Sequence, residues 1–160
     1  MLDIPVPHQY IQSITLDRTN RVIYGATFPA EIVFRYDMQT GQSRQIAYIG
    51  AGYAMGQAEK MVLDKEGRLW GTWVQIRAWE AGDRPKSRFL FCYDPAKDQM
   101  TWFLHGLPKL FPGDLGSIDT MLLAEDDGMI YIGSSQGGLC RLDPAPPAWS
   151  CSASRATAGA

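Results

Sequence analysis

The chain has 160 residues, 46% of them hydrophobic and 20% charged, with a net charge of −2 at pH 7. That balance is enough for one domain with a buried core. The even spread of Lys and Arg excludes a nucleic-acid surface, and no apolar run approaches the roughly 20 residues that span a bilayer.

The N-terminus, MLDIPVPHQY, lacks a positive region followed by an apolar stretch, so it does not read as a secretory signal. The chain as given therefore reads as soluble and cytoplasmic, an inference that fails if it was cut from a longer precursor.

Internal repetition organises the rest. Repeat one opens on SITLDRTNRVIYGAT (13–27), continues through FRYD (34–37) and MQTG, and closes on RQIAYI (44–49). The segment GAGYAMG (50–56) that follows has no Lys-Ser/Thr and no helix after it, so it reads as a connector and not a phosphate loop. Repeat two runs KMVLDKEGRLWGTW (60–73), an insertion RAWEAGDRPKS (77–87), FCYD (91–94), PAKD and MTWFLH (100–105). After the Gly/Pro-rich connector 105–117 comes repeat three: TMLLAEDDGMIYIGSS (120–135), CRLD (140–143), PAPP and AWSCS (148–152).

Each repeat holds four short runs rich in Val, Ile, Tyr, Trp and Phe, punctuated by Gly, Pro, Asn and Asp, which is the pattern of strands and tight turns. Tyr24, Trp70 and Tyr131 mark the same point of each second strand and recur every roughly 50 residues, the pitch of propeller blades. The fold class expected is all-β: a β-propeller arc of three four-stranded antiparallel blades at about 8–50, 56–105 and 116–152, with a disordered tail at 153–160. Three blades leave a ring incomplete, because propellers close with typically 4–8. A fragment of a larger propeller, half of a six-bladed homodimer, and an arc packed on another domain all remain open.

The three cysteines show no CxxC or CxxH spacing, so neither a zinc site nor a disulfide framework is implied. Cys92 and Cys140 lie in apolar strands and read as small core residues, and Cys151 as an exposed bystander.

Repeat three, EDDGMIYIGSSQGGLCRLDP (125–144), resembles the unit of the two-component-regulator propeller repeat and is similar to the wider streptogramin-lyase and SMP-30/gluconolactonase-like group. DKEGRLWGTW in repeat two matches the first half of that unit. VIYGATFPAEIVFRYDMQTG in repeat one has its end but lacks the Gly-Gly. The resemblance covers about residues 10–144 and implies a propeller. It leaves function open, since such repeats occur in binding modules and in enzymes.

Aligning Leu16, Leu63 and Leu123 puts Gln12, Glu59 and Asp119 at one equivalent position, just before the apolar run of each innermost strand. Amide and carboxylate oxygens there suit Ca²⁺ or Mg²⁺, and the SMP-30-like resemblance implies axial carboxylates holding such an ion. A solvated, polar channel is the plainer reading of the same residues. His8, ahead of the first innermost strand, is a channel-mouth candidate, whereas His105 ends an outer strand. Trp79, among Arg77, Glu80, Asp83 and Arg84, is the candidate for an exposed aromatic that stacks on a sugar ring. No G-x-S-x-G nucleophile elbow is present.

Three functions are carried forward. The first is a non-catalytic segment binding a small, carbohydrate-like or protein ligand through Gln12, Glu59, Asp119, Trp79 and His8. The second is a divalent-cation-dependent lyase or lactonase, and the third a structural arc inactive alone.

Overall fold

The computed structural model describes residues 6–7, 9–28, 30, 32–48, 54–77, 87–103, 118–134, 138–145 and 152–155. Among these residues there are strands and turns and no helix.

Sheet 1 is built from β1 (Tyr10–Asp17), β2 (Val22–Phe28), β3 (Ile32–Asp37) and β4 (Ser43–Tyr48). Sheet 2 follows with β5 (Ala54–Leu63), β6 (Leu69–Arg77), β7 (Ser87–Asp94) and β8 (Gln99–Phe103), and sheet 3 with β9 (Ile118–Leu123), β10 (Ile130–Ser134), β11 (Gly138–Leu142) and β12 (Ser152–Arg155). Each sheet is an antiparallel meander in chain order. The three first strands run beside one another, β1 against β5 and β5 against β9.

Local chemistry explains the turns. Asp37 Oδ1 accepts the backbone N–H groups of Gln39 and Thr40 at 2.8 and 2.9 Å. Asp94 Oδ1 does the same for Ala96 and Lys97, and Asp143 Oδ1 for Ala145. The shared Asp at the end of each third strand is thus an Asx-turn former. Four residues after the first two of these aspartates the backbone is left-handed, at Gly41 (φ 72°) and Asp98 (φ 50°). Glycine reaches that region without steric cost, and Asp is among the few other residues that tolerate it.

The core lies between sheets. Val22, Tyr24, Ala26 and Val33 of sheet 1 pack on Met61, Leu69, Phe91 and Tyr93 of sheet 2. The other face of sheet 2, with Trp70, Leu90 and Cys92, packs on Ile130, Ile132, Cys140 and Leu142 of sheet 3. A third, smaller cluster sets Val6 against Phe34 and Tyr36 on the outer side of sheet 1. Burying these side chains supplies the main favourable contribution to folding.

Cross-strand pairs conserve volume in a way the repeat alignment alone hides. Gly25 pairs with Phe34 and Gly71 with Phe91, whereas the equivalent pair in sheet 3 is Ile132 with Cys140. A Cβ on Gly71 would fall inside the Phe91 ring, and that ring is fully buried between two sheets. Gly71→Ala is therefore expected to cost about 1–3 kcal/mol through overpacking, read as a lower urea midpoint at unchanged slope. Adding Phe91→Leu should recover part of the loss; no recovery would mean that the ring is not the obstacle.

Two boundaries differ from the sequence expectation. The fourth strand of sheet 3 is Ser152–Arg155, paired with β11 from Arg141 to Gly138, so it reaches into the stretch 153–160 expected as a disordered tail; 148–151 lie outside the described residues. β5 begins at Ala54, inside the stretch read as a connector, because β6 runs on to Arg77 and pairs there with Ala54.

Candidate functional site

Each first strand carries a β-bulge at the same register. Ile11 and Ser13 pair with Thr27 and Ala26, which leaves Gln12 as the extra residue on β1. On β9, Ile118 and Thr120 pair with Ser134 and Gly133, which leaves Asp119. On β5 the slip falls between Ala58 and Met61, across Glu59 and Lys60. Bulges redirect side chains and concentrate beside functional sites. Gln12 is exposed, and so is Lys60; the side chains of Glu59 and Asp119 lie outside the described residues.

The two ends of the sheets are built differently. The turns β1–β2 and β3–β4, with their counterparts, form one end, and polar ties between sheets hold it together. Arg44 of β4 donates from both terminal nitrogens to Asp98 of sheet 2, at 2.8 and 2.7 Å, and also to Tyr93 Oη at 3.0 Å. Tyr93 in turn donates to Asp98 Oδ1 at 2.7 Å. Between sheets 2 and 3, Arg68 donates to the Pro144 carbonyl at 2.8 Å. The three bulges lie on the side away from the tied turns, near the far end of β1 and β9 and mid-strand on β5. At the far end, Gln9, which follows His8, accepts from the Ala30 backbone N–H, and Arg77 and Ser87, the two end residues of the insertion containing Trp79, lie there as well. His8 and Trp79 themselves, like His105 and Cys151, lie outside the described residues.

The strongest electrostatics are at the tied end, and the sequence reading missed them. The Asp64 side chain is fully buried and accepts from Arg68 Nε at 2.7 Å, Trp70 Nε1 at 2.7 Å, and the backbone N–H groups of Glu66 and Arg68 at 3.0 and 2.8 Å. Burial works against the Arg68 charge, but the Asp64 carboxylate outweighs it and raises the guanidinium pKa. Arg68 also lies 5.8 Å from the centre of the Trp70 ring, a cation–π distance. The one sequence signal for this cluster was Asp-x-x-Gly-Arg between two strands.

Hydrogen bonds from Arg44 and then from Tyr93 hold the Asp98 carboxyl well below the usual carboxylate range. Burial, followed by the bond to Asp98, pushes the Tyr93 hydroxyl up to about 12. Because the folded pKa of Asp98 is depressed, its stabilisation is complete above the unfolded value of about 3.9 and is lost as pH falls through the lower folded value. Asp98→Gly keeps the left-handed turn and removes the bridge. Its melting temperature should fall below the parent's at pH 7, with the gap narrowing below about pH 4; a gap independent of pH would mean that the bridge contributes nothing.

Cys92 is a buried free thiol, and Cys140 is buried as well. Burial pushes the Cys92 pKa up to about 12, which makes it a packing residue and not a nucleophile. Among the described residues, no set of three or more His, Cys, Asp or Glu is grouped as for a metal ion.

No family model matches the chain, and no curated protein matches it. Solved structures do match. The extracellular domain of BT4673 from B. thetaiotaomicron, described as a hybrid two-component system, is similar over 88% of this chain at 16% identity and a TM-score of 0.59. A second structure of a BT4673 extracellular domain, described there as a one-component system, is similar over 95% of this chain at 14% identity and a TM-score of 0.55. This chain covers 17% and 24% of those chains, so it spans at most about a quarter of their length. At identities this low the likeness shows a shared fold and nothing more.

The cytoplasmic expectation is overturned by these neighbours. Both structures are of extracellular domains. Export is set by a leader that the folded part does not need, so a folded segment's composition carries no address.

Proposed function

We propose that the chain is an arc of three β-propeller blades that binds a small polar, carbohydrate-like ligand outside the cell, at the end of the sheets that carries the bulges. The observation carrying this reading is the equivalent bulge on β1, β5 and β9, which sets Gln12, Glu59 and Asp119 at one level of three adjacent strands. Long connections on a rigid β scaffold are the usual place for binding, and the connections between sheets leave from this end. The extracellular neighbours from a two-component system support a role in meeting ligands from outside the cell. Meander sheets stacked by their faces, with first strands side by side, support the blade assignment.

Calorimetry against a panel of neutral and acidic mono- and oligosaccharides tests the reading. Binding heat for at least one sugar, lost in Gln12→Ala and in Trp79→Ala, is expected. Silence across the panel, or binding that both variants leave unchanged, would remove it.

Two of the three bulge positions are carboxylates, and this favours the cation-dependent lyase or lactonase as second reading, with Glu59, Asp119 and Gln12 as ligands of Ca²⁺ or Mg²⁺. Titration with Ca²⁺, Mg²⁺ and Mn²⁺ decides it: a heat abolished by Glu59→Ala supports the enzyme, and no heat removes it.

A further inference from the structure

One three-part unit recurs at the tied end of the sheets: a guanidinium and the polar atom of an aromatic side chain share a carboxylate. Asp98 accepts from both terminal nitrogens of Arg44 and from the Tyr93 hydroxyl. Asp64 accepts from Arg68 Nε and from the Trp70 indole N–H, each at 2.7 Å. In sheet 3, Asp127 Oδ2 accepts from the Tyr131 hydroxyl at 3.0 Å, with Arg141, the ladder partner of Tyr131, near enough for its charge to be felt. Charge-assisted hydrogen bonds of this kind are the strong ones.

Sheet 1 carries the two donors of such a unit, and among the described residues no carboxylate joins them. Tyr24 and Arg35 are partners on the β2–β3 ladder, at the positions of Tyr131 and Arg141 in sheet 3. Tyr24 belongs to the face of sheet 1 that packs on sheet 2 and is 2% exposed, yet its hydroxyl makes no hydrogen bond to a described residue. Arg35 makes none either. Its Nε is closed off from solvent without a partner, and its Nη2 lies 3.7 Å from Asp37 Oδ2, too far for a hydrogen bond.

The carboxylates nearby are already taken. Asp17 holds Asn20 through both oxygens, Asp37 Oδ1 holds the turn at Gln39 and Thr40, and Asp98 is shared by Arg44 and Tyr93. A donor held from water without an acceptor is costly, so an oxyanion that reaches Arg35 is favoured. Arg44, its ladder partner on β4, sets a second positive charge beside it, and 32% of the Arg35 side chain remains exposed, which leaves the guanidinium open to solvent.

We propose that Arg35 and the Tyr24 hydroxyl form a binding site for a small carboxylate ligand at the tied end of the contact between sheets 1 and 2, the ligand playing the part that Asp64 plays for Arg68 and Trp70. The ligand class follows from the recurring unit, in which the acceptor is each time a planar carboxylate, the shape that matches a guanidinium. The site lies away from the bulges and does not depend on the saccharide reading.

Thermal unfolding in sodium acetate and sodium succinate, against sodium chloride at the same ionic strength, is the test. A ligand that binds only the folded chain raises the melting temperature as its concentration grows. The parent is expected to melt a few degrees higher in the carboxylates than in chloride. That rise should vanish in Arg35→Gln and shrink in Arg35→Lys, which keeps the charge but not the planar fork. Tyr24→Phe keeps the buried ring, so it should match the parent in chloride and lose most of the rise; it carries the test should Arg35→Gln fail to fold. Lys65→Gln removes an exposed positive charge from a turn at the same end, and Gln12→Ala alters a bulge; both should keep the full rise. Equal melting in chloride and in the carboxylates overturns the proposal. So does a rise that Arg35→Gln and Tyr24→Phe leave intact, since that is a general salt effect. A rise in sodium phosphate but in neither carboxylate overturns the ligand class.

Discussion

Replacing Trp70 with Ala is expected to destabilise the chain by about 3–5 kcal/mol, the usual loss for removing a buried aromatic side chain from a core. Trp70 sits between sheets 2 and 3, among Leu90, Cys92 and the Ile130–Ile132 face. Its indole N–H donates to Asp64, so the substitution opens a cavity and also removes a donor from a buried carboxylate. The cost approaches the whole stability of a small domain, about 5–15 kcal/mol. Urea unfolding followed by circular dichroism would measure it. Tyr131→Ala, at the same point of repeat three, is the control. Tyr131 is only half-buried and bonds to the exposed Asp127. Measured by the same unfolding, it should cost less than a third as much. Equal costs would show that the two positions are packed alike.

Asp64→Ala should be comparably damaging, at about 3–5 kcal/mol, because removing one partner of a buried ion pair leaves the other charge uncompensated. Arg68 is largely buried and would lose its charge partner, while two backbone N–H groups and the Trp70 indole lose their acceptor. Arg68 also carries the tie to Pro144, so the loss should loosen sheet 3 from sheet 2 and raise amide hydrogen exchange in β10 and β11. Asp17→Ala is the comparison. Asp17 bonds only Asn20 among the described residues, and its loss should cost about 1 kcal/mol. If Asp64→Ala costs no more than that, the Asp64–Arg68–Trp70 cluster is a turn detail and not a structural centre. Asp64 and Trp70 touch, so their effects should not add.

Much of this was legible in the residues. Short β-rich runs between Asp, Asn, Gly and Pro gave twelve strands, and the recurring Tyr24, Trp70 and Tyr131 gave three repeats, which the structure resolves as three meander sheets. The aspartates 37, 94 and 143 could be read as turn formers because an Asx turn needs only its own next few residues. The common level of Gln12, Glu59 and Asp119 was also visible from spacing; the bulges that make it structurally special were not, since a bulge depends on the partner strand.

What the sequence determined by itself is therefore local: strand, turn and repeat, each set by residues a few positions apart. The tertiary structure decided everything that depends on which sheet lies against which face. It buried Tyr24 and Trp70 yet left Tyr131 half-covered, although the repeat treats them alike, because Tyr24 packs against sheet 2 and Trp70 against sheet 3, while Tyr131 lies on the face of sheet 3 away from sheet 2. It joined Arg44 to Asp98, 54 residues apart, and Arg68 to Pro144, 76 residues apart. No pattern within a repeat encodes such pairs, because they arise only when two separately folded sheets stack.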